Sequence, residues 1–343
     1  MATLGQNYLG IIEMLKARDP DGTAATVVEL LAANNAILDD AIAVECNDGT
    51  KHRHTIRTGL PSVSWGALYQ GIPQSKSSTQ QVEDTTGFCE GLSTVDERLL
   101  KLYPGLEAQV RMNEGMSFIE SLNQEMATGI FYHDTATSPE KFKGLSARYS
   151  TLGGGGAGNN IIDAGGTGSD NTSIWFVTWG EMYTHLLYPK GSMAGIDRED
   201  MGRQRVEDGN GNPYYVQEEK FSWHIGAAVR DWRFNCRIAN IDVSDLAAGS
   251  VDIYKWMRKA YYKGKFSSRR RIASGGQTPP VSQAIYCNAD VMEALDAAAH
   301  NNGSSDNFTR LRPMEIEGKE VLTYRGIPVR ECEAILNTEA RVV

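Results

Sequence analysis

Glycines in the middle of the sequence are spaced as in a phosphate-binding loop. Gly153, Gly155 and Gly158 match the pattern G-x-G-x-x-G, which in dinucleotide-binding folds holds a pyrophosphate at the start of a helix. The residues that follow run into further glycines instead of a helical pattern, and no strand–helix–strand pattern surrounds them. We therefore expect a flexible or finely turned loop, and we keep a nucleotide-binding enzyme that uses the 153–158 loop as an alternative.

A second stretch has oxygen-bearing side chains at the spacing of a calcium-binding loop. Counting from Asp208, positions 1, 3 and 5 carry Asp or Asn, and position 12 is Glu219. Position 6, however, is Pro213, whose fixed φ does not suit the sharp turn that glycine makes there. A hairpin turn between Val206 and Tyr214 explains the same residues, so we predict a turn instead of a metal site.

Histidine and cysteine side chains form no familiar catalytic pattern. His52 and His54 share one face of a predicted strand and Cys46 lies nearby in sequence, which leaves a bound metal ion as an alternative. The sequence has no HExxH motif, no G-x-S-x-G elbow and no C-x-x-C pair. We predict no catalytic, cofactor-binding or metal-binding residue, and we expect the chain not to be an enzyme.

Composition and charge narrow the class of protein. The 343 residues include 34 Lys and Arg against 43 Asp and Glu, a formal net charge of −9, and 41% of the residues are hydrophobic. These values indicate an ordinary folded protein with one large or about two compact units. The negative charge argues against a protein whose main task is to grip nucleic acid or an anionic membrane.

Five scattered cysteines predict mostly buried free thiols and no disulfide framework. The start of the sequence lacks the basic leader of a signal peptide, and no apolar run approaches the roughly 20 residues of a membrane helix. We expect an intracellular, soluble chain with no membrane partner.

The elements that would position functional side chains begin with an arm and a hairpin. Helical patterns over residues 8–18 and 23–38 flank a Pro-Asp-Gly breaker. From Cys46 to about Gly91 the period changes to two, which predicts strands, including one with Val63, Trp65, Ala67 and Tyr69 on one face. The return limb, residues 77–86, is almost wholly polar. A long hairpin with one polar limb is marginal by itself and needs a neighbour in this chain or another.

The longest helical pattern in the sequence runs from Leu106 to about Phe131. Thr94 followed by Glu97 is a capping-box signal shortly before it. Beyond this helix and the glycine-rich loop, strand and helix patterns alternate, which makes the class α+β. We predict strands at 173–179, 213–216, 221–229, 283–287, 321–324 and 327–330, and helices at 251–262 and, after Asn288 as cap, at 289–300.

One dense basic run stands out from the acidic background. It contains Lys263 and Lys265, with Phe266 and then three arginines at 269–271. The run is either a solvated loop or a contact with an acidic neighbouring subunit or with nucleic acid.

The order of these parts is similar to that of tailed-bacteriophage major capsid proteins, in particular those of short-tailed phages. The sequence contains an arm, a long hairpin, a long helix, a glycine-rich break, an α+β body and terminal strands. The resemblance covers nearly the whole chain and lies in the order of the parts more than in any one motif. The segments that carry it are residues 58–65 and 70–73 of the hairpin, 95–96 before the helix, 285–288, and 324–330 with 334–336 at the end.

This resemblance implies the Hong Kong ninety-seven type of capsid fold, an α+β fold with an N-terminal arm, an extended β-hairpin loop, a long spine helix, and peripheral and axial domains. Some relatives connect these parts in a permuted order, so the connectivity stays open. The implied division is an arm at 1–48, an extended loop at 49–92, a peripheral domain at 93–175 and 305–343 with the spine helix at about 106–131, and an axial domain at 176–304.

The resemblance also implies function, partners and location. The chain would assemble with itself as hexamers and pentamers into an icosahedral head, located in the virion and assembled in the cytoplasm of the bacterial host. Double-stranded DNA would lie on the inner face without sequence-specific contacts, and cement or decoration, scaffold and portal proteins are further partners of such shells. A minor virion protein is a second alternative.

The candidate site residues are accordingly contacts between subunits. Some relatives crosslink a loop lysine to an asparagine, and Lys76 lies where such a lysine would be, but no asparagine partner is identified and we predict no crosslink. The predicted contacts are Leu60, Pro61, Trp65, Tyr69, Lys76, Arg269, Arg270 and Arg271.

Overall fold

A mixed sheet of thirteen strands organises the part of the chain that the structure describes. The structure is a computed structural model, and it describes residues 33–101, 105, 107–266, 282–300, 311–316 and 319–343. The first helical pattern, at 8–18, most of the second, at 23–38, and the three arginines at 269–271 lie outside the described residues.

The strands and helices alternate along the chain as an α+β protein. The strands are β1 (Ala43–Glu45), β2 (Lys51–Gly59), β3 (Ser78–Asp96), β4 (Ile161–Asp163), β5 (Asn171–Trp179), β6 (Thr184–Tyr188), β7 (Ile196–Glu207), β8 (Pro213–Val229), β9 (Cys236–Asp242), β10 (Ser282–Cys287), β11 (Arg312–Ile316), β12 (Lys319–Tyr324) and β13 (Ile327–Glu331). The helices are α1 (Ala36–Asp40), α2 (Glu97–Lys101), α3 (Glu107–Tyr132), α4 (Leu145–Arg148), α5 (Val243–Ala247), α6 (Ile253–Lys263) and α7 (Ala289–His300).

The longest path through the sheet runs β11-β12-β13-β10-β5-β6-β8-β3-β2. Parallel pairs, such as β1 with β6 and β10 with β13, occur beside antiparallel pairs, such as β3 with β8. The predicted hairpin between Val206 and Tyr214 is confirmed, since β7 and β8 pair across a turn in which the Asp208 carboxylate accepts hydrogen bonds from the backbone of Asn210 and Asn212.

The 19-residue strand β3 joins two parts of the sheet. Its first half pairs with β2, so that His52 lies opposite Asp84 and His54 opposite Val82. Its second half pairs with β8 over residues 86–96. The polar return limb is therefore a strand as predicted. The strand predicted around Val63–Tyr69 is wrong, because residues 60–77 form no ladder with any described strand and stay irregular.

The long helix α3 lies against this part of the sheet, within one residue of its predicted bounds. At 1.5 Å per residue its 26 residues span about 39 Å. The Phe118 ring stacks on the Phe221 ring of β8, with ring centroids 5.8 Å apart. Gly115 allows the close approach, since a Cβ there would lie 3.0 Å from the Phe221 ring. The capping box predicted at Thr94 is wrong. Strand β3 continues to Asp96, whose carboxylate accepts the Arg98 backbone N–H at 2.8 Å as α2 begins.

Two hydrophobic cores share strand β5. Trp175, Val177 and Trp179 belong to a core with α1, α3 and α4, whereas Ile174 and Phe176 belong to a core with α5, α6 and α7. All nine residues of β5 are buried, which explains the continuous apolar run in the sequence. The division implied between residues 175 and 176 falls inside this strand, so a boundary there would separate paired backbone of one sheet.

The C-terminal segment is fixed by a buried ion pair. An Arg237 Nη atom donates to the Glu339 carboxylate at 2.8 Å, and both side chains are 4% exposed. The same carboxylate accepts hydrogen bonds from the Tyr132 and Ser173 hydroxyls. The Arg237 guanidinium also stacks over Trp175, 4.9 Å from its ring centroid. This network joins α3, β5, β9 and the chain end.

Most predicted helix and strand positions in the second half of the chain are confirmed, and the two extended stretches predicted at 213–216 and 221–229 are one strand, β8. Asn288 caps α7, since its side-chain oxygen accepts the Val291 N–H at 3.0 Å. Four of the five cysteines are buried and all five are free thiols, as predicted. Among the described helices none is both long and apolar enough to cross a membrane.

Candidate interaction surface

The connection between β2 and β3 carries a row of fully exposed apolar side chains. We call residues 60–77 the apolar loop. Trp65 is 101% exposed and Tyr69 is 107% exposed, which means that neither ring rests on its own subunit. The other large apolar side chains of the apolar loop, each at least 80% exposed, are Leu60, Val63, Leu68 and Ile72.

Few interactions within the subunit fix the apolar loop. The Gln70 N–H donates to the Ala67 carbonyl at 3.2 Å, and the Ser75 hydroxyl donates to the Ser62 carbonyl at 2.7 Å. Tyr69 has a φ of 64°, in the left-handed region that costs a bulky residue energy. A bulky aromatic residue held in this conformation with its ring in solvent is costly for an isolated subunit.

An exposed apolar row of this kind marks a binding surface. Burying a Val, Leu or Ile side chain contributes roughly 1.5–3 kcal/mol, and aromatic side chains often dominate the energy of an interface. Covering these side chains with a partner would therefore stabilise the apolar loop more than its few contacts within the subunit do. A loop that projects its apolar side chains without covering them suits docking onto a preformed neighbouring surface.

The structure brings five of the eight predicted contact residues together. Leu60, Pro61, Trp65, Tyr69 and Lys76 all lie in the apolar loop with exposed side chains. The three predicted arginines at 269–271 are outside the described residues, so no position is assigned to them.

Three further members of the exposed row, Val63, Leu68 and Ile72, are not among the predicted contacts. Their apolar side chains, in a segment that also has two prolines and two glycines, are the available signal. The alternation of residues around Trp65 predicts a strand with one covered face instead, and a covered face would not form an exposed row.

A group of buried histidines anchors the base of the hairpin. His52 and His54 of β2 are 7% and 5% exposed, and His185 of β6 is fully buried. The rings of His52 and His185 meet edge to face, with centroids 5.5 Å apart. We call these three residues the histidine cluster. Beside it, Asp84 of β3 accepts from an Arg148 Nη atom at 2.7 Å and lies 3.9 Å from the Nδ1 atom of His54.

Burial sets the protonation of the histidine cluster. Desolvation lowers the pKa values of His52 and His54, and it lowers the pKa of His185 to about 3, to which the nearby His52 and Arg230 also contribute. The charged groups that face the cluster shift the histidine pKa values in opposite directions. Asp84 raises the pKa values of His52 and His54, whereas Arg230 lowers both of them. Desolvation prevails, so the three rings are neutral at neutral pH.

Mild acid is therefore expected to destabilise the subunit. The unfolded chain protonates His185 near its ordinary pKa of 6.5, whereas the folded chain does so only near 3. Stability is thus full above about pH 6.5 and falls as the pH drops toward 3. This histidine alone costs about 2 kcal/mol at pH 5. Urea unfolding of the unassembled subunit at several pH values between about 7.5 and 5 measures this loss.

The variant His185→Leu is the control for this prediction, because it replaces a buried, titrating ring by an apolar side chain of comparable size. The slope of its unfolding free energy against pH should be smaller, by the amount that corresponds to about one bound proton. An unchanged pH dependence in the variant would show that His185 is not the group responsible.

The chemical alternatives raised by the sequence find little support in this geometry. Within the described ranges, no group of three or more His, Cys, Asp or Glu side chains is arranged to hold a metal ion. Cys46 packs with Leu187 and Ala228 in a small apolar cluster of its own. The glycine-rich loop leads into a short 3₁₀ turn, Gly156–Asn160, and then strand β4, so no α-helix N-terminus follows that would hold a phosphate.

Comparison with known proteins points to one family. The model of a family described as major capsid protein GP7 matches residues 19–343 of the chain. A chain in the structure of bacteriophage epsilon15 is 34% identical, with a TM-score of 0.73, and the alignment covers 100% of this chain and 99% of that chain. No curated protein sequence matches.

Two more distant capsid structures also align. The capsid of bacteriophage JBD30 is 9% identical with a TM-score of 0.47, over 89% of this chain and 93% of that chain. The capsid of a native GTA particle is 8% identical with a TM-score of 0.45, over 65% of this chain and 95% of that chain.

Proposed function

Because the chain belongs to the GP7 family of major capsid proteins, we propose that its copies assemble as hexamers and pentamers into the icosahedral head around a phage genome. It is a shell-forming structural protein of the virion, with the α+β fold of the Hong Kong ninety-seven type. In this proposal the chain carries no catalytic site, and its functional residues are those that join one subunit to the next.

The exposed apolar loop is the observation that carries this proposal. Trp65 and Tyr69 find no cover within their own subunit, and their exposure is complete. A second copy of the chain is the occupant that a self-assembling shell supplies at every position. Lys76, at the base of the apolar loop, would lie at the edge of this contact, where a charged side chain keeps part of its hydration.

The base of the hairpin suits this role. Arg148 of α4 pairs with Asp84 of β3 and also donates to the Ala227 carbonyl of β8 at 2.9 Å, which fixes the hairpin to the body of the subunit. A firm base limits the directions that the apolar loop can take and so lowers the entropy lost on docking.

In this proposal the domains keep the division that the resemblance implies. The peripheral domain is residues 93–175 and 305–343 with helix α3, and the axial domain is residues 176–304 with helices α5, α6 and α7. The residues 1–48 then act as the arm and 49–92 as the extended loop. We retain packaged double-stranded DNA, scaffold, portal and cement or decoration proteins as partners, and assembly in the bacterial cytoplasm.

Light scattering after size-exclusion chromatography, combined with negative-stain electron microscopy of the purified full chain, tests the proposal. We expect closed shells, or rings of five and six subunits that close on raising the protein concentration or adding co-expressed head proteins. A uniform monomer or dimer under all these conditions would contradict it. A saturable complex with a nucleotide would favour the enzyme alternative instead.

A further inference from the structure

One stretch of this acidic chain has several cationic residues and no acidic ones. Between Asp252 and Asp290 the sequence has eight Lys and Arg and no Asp or Glu, although the whole chain has a net charge of −9. The described part of this stretch includes helix α6, which is capped at its start by Asp252. A segregation of this kind produces a local positive field on a protein that otherwise repels anions.

Helix α6 places its cations on one exposed face. Ile253, Met257 and Ala260 are buried in the core. Lys255, Lys259 and Lys263 recur every four residues, so they stand at about 6 Å intervals along the helix axis. We call the exposed side chains of Lys255, Arg258, Lys259, Tyr262 and Lys263 the basic face.

The side chains of the basic face are available for a ligand. Lys255, Arg258 and Lys259 form no ion pair with any residue in the described part of the chain. Lys263 donates to the Ile161 carbonyl at 3.1 Å, a neutral acceptor that leaves the ammonium charge uncompensated. The basic face thus keeps most of its charge for a partner.

Two residues beside the basic face change its charge, since Arg325 adds a cation and Asp163 adds a carboxylate. Arg325 donates to the Tyr262 hydroxyl at 3.1 Å and lies over the Tyr261 ring, 5.0 Å from its centroid, which adds a fifth cation beside α6. Asp163 lines a shallow depression next to Lys259 and is the acidic residue of that lining. Its carboxylate already accepts from the Gly165 N–H at 2.9 Å and from the Asn240 side chain at 2.8 Å.

We propose that the basic face of α6 binds the phosphate backbone of the packaged double-stranded DNA. This inference rests on the proposed function, which supplies the DNA, and adds the residues that contact it. Duplex DNA carries a negative charge about every 1.7 Å along its axis, so a row of cations at 6 Å intervals meets several phosphates at once.

The composition of the basic face favours DNA over an acidic neighbouring subunit. Lysine is depleted in interfaces between proteins, whereas interfaces with DNA are much more positively charged. The basic face has lysines at its centre and no exposed apolar side chain apart from the Tyr262 ring. Contacts from these cations to phosphate oxygens carry no sequence information, so we expect binding that is independent of sequence.

The test is fluorescence anisotropy of a labelled random-sequence DNA duplex of about 30 base pairs, titrated with unassembled full-length subunit at several salt concentrations. The test variant carries Lys255→Gln, Arg258→Gln and Lys259→Gln. A matched control carries Lys101→Gln, Lys143→Gln and Lys190→Gln, which removes the same charge from exposed positions elsewhere. Thermal melting checks that both variants are folded.

We expect the test variant to lose roughly 100-fold in affinity near 0.1 M salt, and its plot of log affinity against log salt to become shallower by about 2–3. The control should change affinity by less than about threefold. Equal losses in both variants, or no DNA binding by the wild type, would overturn the inference. So would normal DNA binding by a test variant that fails to assemble, because the basic face would then contact a neighbouring subunit.

Electron microscopy of the same samples separates this inference from the proposed function. Shells formed by a wild-type chain that does not bind DNA would contradict the inference alone. A wild-type chain that never forms shells would contradict the proposed function, whatever the anisotropy shows.

Discussion

Replacing Glu339 with alanine is expected to lower the free energy of unfolding of the subunit by about 3–5 kcal/mol. The substitution leaves the Arg237 guanidinium, 4% exposed, without its carboxylate. It also removes the acceptor of the Tyr132 and Ser173 hydroxyls. An unpaired buried charge and unsatisfied buried donors add to the cost, because neither is hydrated in the folded subunit. Urea unfolding of the unassembled subunit, followed by circular dichroism, measures the change.

Two controls separate the ion pair from general effects of substitution. Glu207→Ala removes a carboxylate paired with Arg205 on the surface, where both side chains are 59% exposed, and it should change stability by less than about 1 kcal/mol. The double variant Arg237→Met with Glu339→Leu removes both charges and should be more stable than Glu339→Ala. A loss below about 1 kcal/mol for Glu339→Ala would contradict the assigned role of the pair.

Replacing both Trp65 and Tyr69 with serine is expected to abolish shell formation while leaving the subunit folded. The two side chains contribute nothing to the core, since both are fully exposed. At about 2 kcal/mol or more for each aromatic anchor, their loss weakens every contact between neighbouring subunits by roughly 1,000-fold. Light scattering over a range of protein concentrations measures the assembly threshold, and thermal melting measures the subunit.

The matched control replaces Met193 and Tyr215, two exposed apolar residues outside the apolar loop, with serine. This variant should assemble near the wild-type threshold. Assembly of the Trp65 and Tyr69 variant at wild-type concentrations would show that the apolar loop is not the contact that joins subunits. A large fall in its melting temperature would instead show that the two rings pack within their own subunit.

Strong local patterns in the sequence were sufficient to predict the long elements. Helix α3 has a long amphipathic pattern, and β5 is an apolar run that is buried on both faces of the sheet. Each of these patterns depends only on the residues of the element itself. The same holds for the cap at Asn288, whose hydrogen bond spans three residues.

Elements that depend on partners elsewhere were predicted less well. The alternation around Trp65 matches a strand, but a strand needs a ladder partner, and none of the described strands reaches it. The capping box at Thr94 was overridden because pairing with β8 holds β3 extended as far as Asp96. In both cases tertiary hydrogen bonding, which local sequence does not encode, decided the structure.

The histidine cluster and the basic face were also predicted only where their residues lie close together in sequence. His52 and His54 were placed correctly on one strand face, whereas His185 reaches them through β6, more than a hundred residues later. The basic run was visible in sequence from Lys263 onward, but Lys255 and Lys259 join it only because helical spacing brings them to the same exposed face.

Cryo-electron microscopy of the assembled particles tests the central claim most directly, namely that this chain forms a closed shell by laying its apolar loop on a neighbouring copy. We predict five- and six-subunit capsomers in which Trp65 and Tyr69 of one subunit are buried against the next. Particles that are open rings or filaments, or a closed shell in which residues 60–77 project into solvent, would contradict the account.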